Sequence, residues 1–264
     1  MKIDSILILA AGRGTRLKPY TDNLPKSLLP LGETNILRNL IVQSEKYFAG
    51  ARIYVNTSYL AEKIINEVTN FPIARRPYVV WEQDPLGPAL TVTNHCNEND
   101  ENVLVLHGDN FFTDMTYSEF ANSIHQKIQD VSILLCHQRT KRTARSLVIE
   151  NEGVIQSITE IPDSDITKSL YESGKNELVW CSSGAIVIKR KSLLNFTPQK
   201  AVSLSPSLIN YIACKEDLYL EKCTGTRISI DNEKSYLAAV EISKKSENLF
   251  NRTFDINNFI CLIL

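Results

Sequence analysis

Leu7-Ile8-Leu9-Ala10-Ala11-Gly12-Arg13-Gly14-Thr15-Arg16-Leu17-Lys18-Pro19-Tyr20-Thr21, running on through Pro25-Lys26-Ser27-Leu28-Leu29-Pro30, decides how the rest of this chain reads. It opens as an apolar strand, breaks into a loop of small residues, and then carries an arginine and a lysine. Ala10, Ala11, Gly12 and Gly14 have little or no side chain, so backbone N–H groups can close around a phosphate. Thr15 adds a hydroxyl donor, and Arg16 a planar fork of N–H groups suited to bidentate phosphate contact. Pro19, Pro25 and Pro30 stiffen the excursion so that Lys26 is held as a point charge near the same phosphates. The stretch contains no G-x-x-x-x-G-K-[ST] run, and no acidic residue is placed like the ribose-binding one of a dinucleotide fold.

Outward from this loop, strand and helix patterns alternate. Ile3 to Leu9 is a strand; Ile36, Leu37, Leu40, Ile41, Tyr47 and Phe48 recur at helical spacing up to Gly50. Arg52 to Val55 is a strand, Leu60 to Val68 a helix, and Tyr78 to Trp81 a strand. A turn from Glu82 to Leu90 opens another helix. Val103 to Leu106 is continuously apolar, as buried central parallel strands are, and ends in His107-Gly108-Asp109-Asn110. Phe120, Ile124 and Ile128 mark a helix, and Val131 to Cys136 the next strand. The alternation predicts a parallel sheet covered on both faces, with ligands at the strands' carboxyl ends.

The second half changes character. Ser146 to Glu150 and Val154 to Ile158 flank a hairpin turn at Asn151-Glu152-Gly153. Pro162 to Gly174 reads as a polar surface loop or lid. Leu178 to Ile188, Asp217 to Glu221 and Arg227 to Ile230 read as strands, Ser205 to Cys214 as a short helix, and Tyr236 to Ile242 as a final helix. The expected division is one domain over 1–245, in halves 1–138 and 139–245, followed by a tail at 246–264. That tail reads as a segment docked on the core or as a subunit contact, which would make a homo-oligomer.

Composition sets outer limits. With 264 residues, 43% hydrophobic content and a formal net charge of −1, the chain is long enough for a full core. Near-neutral charge argues against a dedicated nucleic-acid surface or an anionic-membrane surface, so phosphate affinity is expected to be local. Six widely spaced cysteines without a C-x-x-C pair read as buried thiols in a reducing compartment. The start runs straight into a strand, and no apolar run approaches membrane-spanning length; a cytoplasmic protein is expected.

The opening stretch resembles the signature L-A-A-G-x-G-T-R-L-x-P-x-T-x-x-x-P-K-x-L-x-P of the sugar-1-phosphate nucleotidylyltransferases, the NDP-sugar pyrophosphorylases. The resemblance implies a Rossmann-like three-layer α/β/α nucleotidyltransferase fold, with a mostly parallel mixed central sheet and a small β-rich acceptor-binding subregion. It also implies that an NTP and a phosphorylated small-molecule acceptor are the partners, and Mg2+ the cofactor. Leu9 to Thr15, with Arg13 among them, would wrap the nucleotide; Arg16 would hold the leaving phosphates and Lys26 the reacting phosphorus centre and acceptor phosphate. Asp109, at the family's G-D position just past a buried strand, would bind the metal; its alternative is an Asp-Asn turn. Glu82, Gln83, Pro85 and Gly87 resemble the family's base-contacting stretch, although a helix-initiating turn would use the same residues.

The acceptor side departs from the pattern. Thr159-Glu160-Ile161-Pro162 keeps the carboxylate of the family's E-K-P but puts Ile161 where a lysine binds the acceptor's phosphate, leaving Lys168, Arg139 or Arg145 to replace it. Ser182 stands for the sugar-binding Asn of N-A-G; Asn110, Glu160, Trp180, Ser182 and Gly184 would surround the acceptor, with Trp180 either a wall or core packing. Ser229 falls where the second metal aspartate is expected, and Asp231, two residues on, would face the same side; Asp231 or Asn232 could equally cap the last helix. Three functions follow: transfer to a sugar 1-phosphate, transfer to a non-sugar phosphate such as phosphocholine, or a catalytically weak paralogue that binds nucleotide sugar. None of the four histidines shows ligand spacing.

Overall fold

The computed structural model describes residues 1–70, 76–95, 100–126, 131–140, 144–161, 177–197, 203–215 and 217–253. The expected lid at 162–174, Lys168, and the tail from 254 onward lie outside the described residues. Parallel strands β1 (Ser5–Leu9), β4 (Arg52–Thr57), β5 (Tyr78–Trp81) and β6 (Asn102–His107) form one side of a nine-stranded sheet, in the order β5-β4-β1-β6. The sheet continues through β11 (Leu178–Lys189), β8 (Ser132–Thr140), β12 (Leu218–Lys222), β10 (Val154–Glu160) and β9 (Ser146–Asn151). β11 runs antiparallel to both β6 and β8, β12 lies parallel to β8, and β9–β10 is an antiparallel hairpin. The sheet is therefore mixed, and strands from both halves of the chain share it.

Why the central strands read as unbroken apolar runs is plain from their two faces. Ile6, Ile8, Leu104, Leu106, Ile133, Leu135, Ala185 and Val187 are buried on one side. Leu7, Val103, Val105, Leu134, Cys136, Ile186 and Ile188 are buried on the other. Alternate residues leave opposite faces of a strand, so a strand covered on both sides must be apolar throughout. The first face packs against α1 (Ile36–Tyr47), α2 (Ala61–Thr69), α4 (Asp114–Gln126) and α7 (Glu233–Thr253), through Leu40, Ile64, Phe120 and Ala239 among others. The second packs against α3 (Pro88–His95) and a π-helical turn, Leu204–Ile209, that continues into α6 (Asn210–Ala213). One more short helix, α5 (Arg190–Leu193), closes the end of β11.

Three short strands, β2 (Pro30–Leu31), β3 (Thr34–Asn35) and β7 (Asn110–Phe112), escape sequence reading, and so does the pairing of a fourth, β13 (Arg227–Ser229). β2 and β3 form a hairpin, and the Asn35 side chain then caps α1 by accepting from Arg38 N. α7 is anchored on this hairpin, with Tyr236 Oη donating to Pro30 O and Ser243 Oγ to Leu31 O. It extends to Thr253, so the expected tail boundary at 246 falls inside a helix. β7 pairs antiparallel with β13, matching Ser229 with Asn110 and Arg227 with Phe112. Among the described residues, no helix is long and apolar enough to cross a membrane.

Gly108 marks where β6 and β1 converge. Its N–H donates to Leu9 O at 2.9 Å, and a Cβ there would stand 2.5 Å from the same carbonyl oxygen. Gly108→Ala is expected to lower stability by about 1–3 kcal/mol, as overpacking does; a urea midpoint equal to that of the parent would show that the strands part to accept the methyl.

Candidate active site

β1 delivers the phosphate loop at its carboxyl end. Ala10 N donates to Asn56 Oδ1 at 2.7 Å, which ties the loop to the end of β4. Gly14 adopts the left-handed conformation (φ +62), and a Cβ there would meet Lys26 Cβ at 3.0 Å and Thr21 Cγ2 at 3.1 Å. Gly14 O accepts from Leu17 N and from Thr21 Oγ1, so a short 3₁₀ turn, Thr15–Leu17, follows directly. A second such turn, Lys26–Leu28, sets Lys26 beneath the loop.

Leu9, Ala10, Ala11, Gly12, Lys26, Pro85, Gly87, Asp109 and their neighbours line a cleft of about 250 Å3, with Asn56, Thr91 and His107. Gly87 turns with φ +91, and its carbonyl accepts from Thr91 N, which starts α3. Ser27 Oγ is buried in this wall and finds no hydrogen-bond partner among the described residues. Glu82 is placed differently from the sequence expectation. Its Oε1 accepts from Asn56 Nδ2 and Thr91 Oγ1, and Oε2 from Leu86 N. A carboxylate with three donors is a brace for the cleft wall and not a free acceptor for a base edge. Arg13, Thr15 and Gln83 are exposed and do not line the cleft.

At the cleft's mouth Lys26 Nζ stands 2.7 Å from Asp109 Oδ2 and 3.4 Å from Asp231 Oδ1. Asp109 lies in the turn between β6 and β7, and Asp231 follows β13. The β7–β13 ribbon joins them, and Ile230 N donates to Asp109 O at 2.9 Å. Asp231 is thereby brought beside Asp109 although Ser229 fills the expected position. The cap of α7 falls to Asn232, whose Oδ1 accepts from Ser235 N while Ser235 Oγ accepts from the Asp231 and Asn232 N–H groups. This leaves the Asp231 carboxylate to Lys26. Desolvation pushes the Asp109 carboxyl upward, but Lys26, His107 and Arg227 together outweigh it and hold it below the usual range. Two carboxylates converging on one cation form a hard-oxygen donor pair that fits Mg2+, whose remaining positions phosphate oxygens and water commonly fill.

A larger cleft, about 880 Å3, opens on the other side of Asp109. Arg16, Asn110, Glu160, Ser182, Gly184 and Asp231 line it, together with Ile161 and Arg145. Gly184 is required here, because a Cβ would stand 2.1 Å from Asn110 Nδ2. Trp180 is not part of this wall. It lines a separate cavity with Lys222 and Thr226, and packs on the second core face.

Sequence reasoning foresees Arg139 and Arg145 as cations on this side but misses Arg227 and His137, which join Arg139 in one cluster. Arg227 Nη2 donates to Asn110 Oδ1 at 2.7 Å, and its Nη1 lies 3.5 Å from His137 Nε2. Arg139 Nε donates to the same His137 nitrogen at 3.0 Å, and His137 Nδ1 meets Ser183 Oγ at 3.0 Å. Guanidinium groups only donate, so Nε2 must accept and His137 is the neutral tautomer protonated on Nδ1. Asn56 left one usable signal, a polar residue ending an otherwise apolar strand; Arg139 is foreseen from sequence only as a stand-in for the lysine missing at Ile161, and His137 left no signal.

The comparisons with known proteins come to the same place. A model of the nucleotidyl transferase family matches residues 5–183. The chain belongs to the nucleotidyl transferase family. The bifunctional protein GlmU of Methanococcus aeolicus is 30% identical over 156 residues, covering 59% of this chain and 36% of that protein. A protein of Sulfolobus acidocaldarius provisionally named mannose-1-phosphate guanyltransferase is 26% identical over 72% of this chain and 50% of its own length. The chain thus spans half or less of these curated relatives. Among solved structures, a Bacillus anthracis protein provisionally named glucose-1-phosphate thymidylyltransferase, in complex with a sucrose, superposes with a TM-score of 0.74. At 15% identity over 91% of this chain and 95% of that one, it shares the nucleotidyltransferase fold.

Desolvation, reinforced by the positive fields of Arg227 and Arg139, pulls the His137 imidazole down to about 3. Because the folded value is depressed, stability is full above the unfolded value near 6.5 and is lost as pH falls from there toward about 3. His137→Gln is expected to flatten the loss of urea stability between those limits, and the His137 ring resonances should not titrate near neutral pH. A ring that titrates near its ordinary value would remove the neutral tautomer from this site.

Proposed function

We propose that the chain transfers a nucleoside monophosphate from an NTP to a sugar 1-phosphate, giving an NDP-sugar and pyrophosphate, with Mg2+. One observation carries this reading: the Lys26 ammonium, with Asp109 and Asp231, stands where the two clefts meet. The smaller cleft, with its small-residue loop and Gly87 turn, has the form of a nucleotide site. The larger, with Glu160, Ser182 and Asn110, has room for a phosphorylated acceptor.

Asp109 and Asp231 would hold the metal ion, which when bound screens the triphosphate charge. Lys26, displaced from the carboxylates, would turn its ammonium to the oxygens of the α-phosphorus and of the incoming acceptor phosphate, holding them in line. Arg16 would neutralise charge growing on the departing pyrophosphate. The braced loop keeps its N–H groups oriented throughout, so little reorganisation accompanies the reaction. No covalent nucleophile is needed, since the acceptor phosphate supplies the attacking oxygen. Proton transfer from side chains is not needed either, since a phosphate monoester is largely ionised near neutral pH.

A second reading keeps this chemistry and replaces the sugar phosphate with a non-sugar phosphate. Ile161, which lines the acceptor cleft where a lysine is expected, favours it.

Pyrophosphate release measured with each NTP and a set of phosphorylated acceptors tests the proposal. Lys26→Ala is expected to cut turnover on the order of a hundredfold or more with circular dichroism unchanged. Asp231→Asn should raise the Mg2+ concentration needed for half-maximal rate. Unaltered turnover in the Lys26 variant would refute the assigned roles.

A further inference from the structure

The Arg227–His137–Arg139 cluster has no part in the transfer chemistry described above, and its construction is unusual. Two guanidinium groups converge on one neutral imidazole nitrogen. Among the described residues neither guanidinium forms an ion pair with a carboxylate; Asp109 and Asp231 are already engaged by Lys26, and Glu160 is exposed. Arg227 Nε is buried and without a hydrogen-bond partner. Desolvation and the neighbouring Arg139 pull Arg227 down to about 10, against the opposing fields of Asp109 and Asp231. Both arginines are half-buried, and two guanidinium groups held side by side without a carboxylate are costly unless something anionic completes the site.

The position of the cluster says which part of a ligand it would meet. Arg227 and His137 line the acceptor cleft and the cavity behind it, and neither lines the nucleotide cleft. Arg227 is anchored on Asn110, one residue past Asp109 and on the side away from the phosphate loop. Arg139 and Arg145 extend the same wall. A phosphate attacking at Lys26 would be held by the Lys26 ammonium, which leaves these guanidinium forks to meet another anion in the same cleft.

We propose that the acceptor carries a second anionic group, a carboxylate or a further phosphate, distinct from the attacking phosphate and bound between Arg227 and Arg139. This rests on the transfer reading above and narrows its acceptor class. Planar guanidinium forks match either anion in bidentate geometry, and His137, being neutral, takes up no anion of its own. The anion would offset the repulsion between the two arginines.

Initial-rate measurements with glucose 1-phosphate, glucuronic acid 1-phosphate and glucose 1,6-bisphosphate test it, with calorimetric binding of the same three compounds in parallel. At least one doubly anionic acceptor is expected to exceed glucose 1-phosphate in kcat/KM on the order of 10- to 100-fold, and which one distinguishes carboxylate from phosphate. Arg227→Met and Arg139→Gln should each collapse that ratio toward one, with Arg227→Lys restoring part of it. Thermal melting screens out variants that fail to fold, and either arginine suffices for the test. Equal kcat/KM for all three acceptors would overturn the inference, as would an Arg227 variant that weakens all three alike. Selective binding of a doubly anionic compound without any pyrophosphate release would instead leave the anion site standing and sink the transfer reading. Absence of selective binding and of turnover would overturn the inference as well.

Discussion

The site depends on keeping two carboxylates and one ammonium together at the end of a parallel sheet. Asp109 and Asp231 repel one another at close range, and neither can move away: one is fixed in the turn after β6, the other by the ribbon that pairs β13 with β7. Lys26 resolves the conflict by standing between them. Its side chain is only 14% exposed, so the ammonium is screened from water and its field on Asp109 is correspondingly strong. An ion pair of this kind adds little net stability once desolvation is counted; it holds the geometry of the three groups together, and in the proposed reaction it would leave a cation where phosphates arrive.

The rest of the fold delivers these three groups. Parallel strands put all their carboxyl ends on one edge, and the adjacency of β1 and β6 places the phosphate loop beside Asp109. Gly108 permits that approach, Gly14 permits the loop to lie on Lys26, and Gly184 leaves room for Asn110. Gly108 and Gly184 serve contact between segments far apart in the chain, and Gly14 within the loop itself. The Glu82 brace has the same character, linking Asn56 on β4 to Thr91 on α3 and thus fixing two walls of one cleft.

The sequence makes some of this legible and hides the rest for physical reasons. Doubly covered strands are apolar throughout and amphipathic helices repeat every three to four residues, so β1, β6, α1 and α2 can be read directly. The loop, Lys26 and Asp109 are visible because small residues, proline and an acid after a buried strand are locally unusual. The β7–β13 ribbon is not visible: each strand has three residues, they lie over a hundred positions apart, and pairing across that span has no local signature. Without the ribbon, Asp231 and Ser229 cannot be ranked, and Arg227 gives no sign that it turns toward Asn110. The base contact expected of Glu82 and the acceptor-wall reading of Trp180 fail for another reason. Residue type says that a side chain can bond or stack, but which way it faces is set by neighbours; Glu82 turns inward to three donors and Trp180 to a different cavity.

Charge distribution explains why one edge of the sheet can serve two unlike ligands. The chain's formal net charge is −1, yet Arg16, Arg139, Arg145, Arg227 and Lys234 gather on a single cleft. Local fields in a cleft with low-polarity walls are governed by the groups that line it and not by the molecule's net charge. The smaller cleft, by contrast, has Lys26 as its one lysine or arginine, and its loop offers backbone N–H groups in place of arginine. A planar base and ribose can enter such a pocket without a charge-matched wall, whereas a highly anionic acceptor cannot reach a phosphorus centre ringed by negative oxygens unless cations flank its path. On the proposed reading, the concentration of arginine on one side of Asp109 fits the larger cleft to an anionic acceptor and the smaller to the nucleotide, an argument that uses no motif.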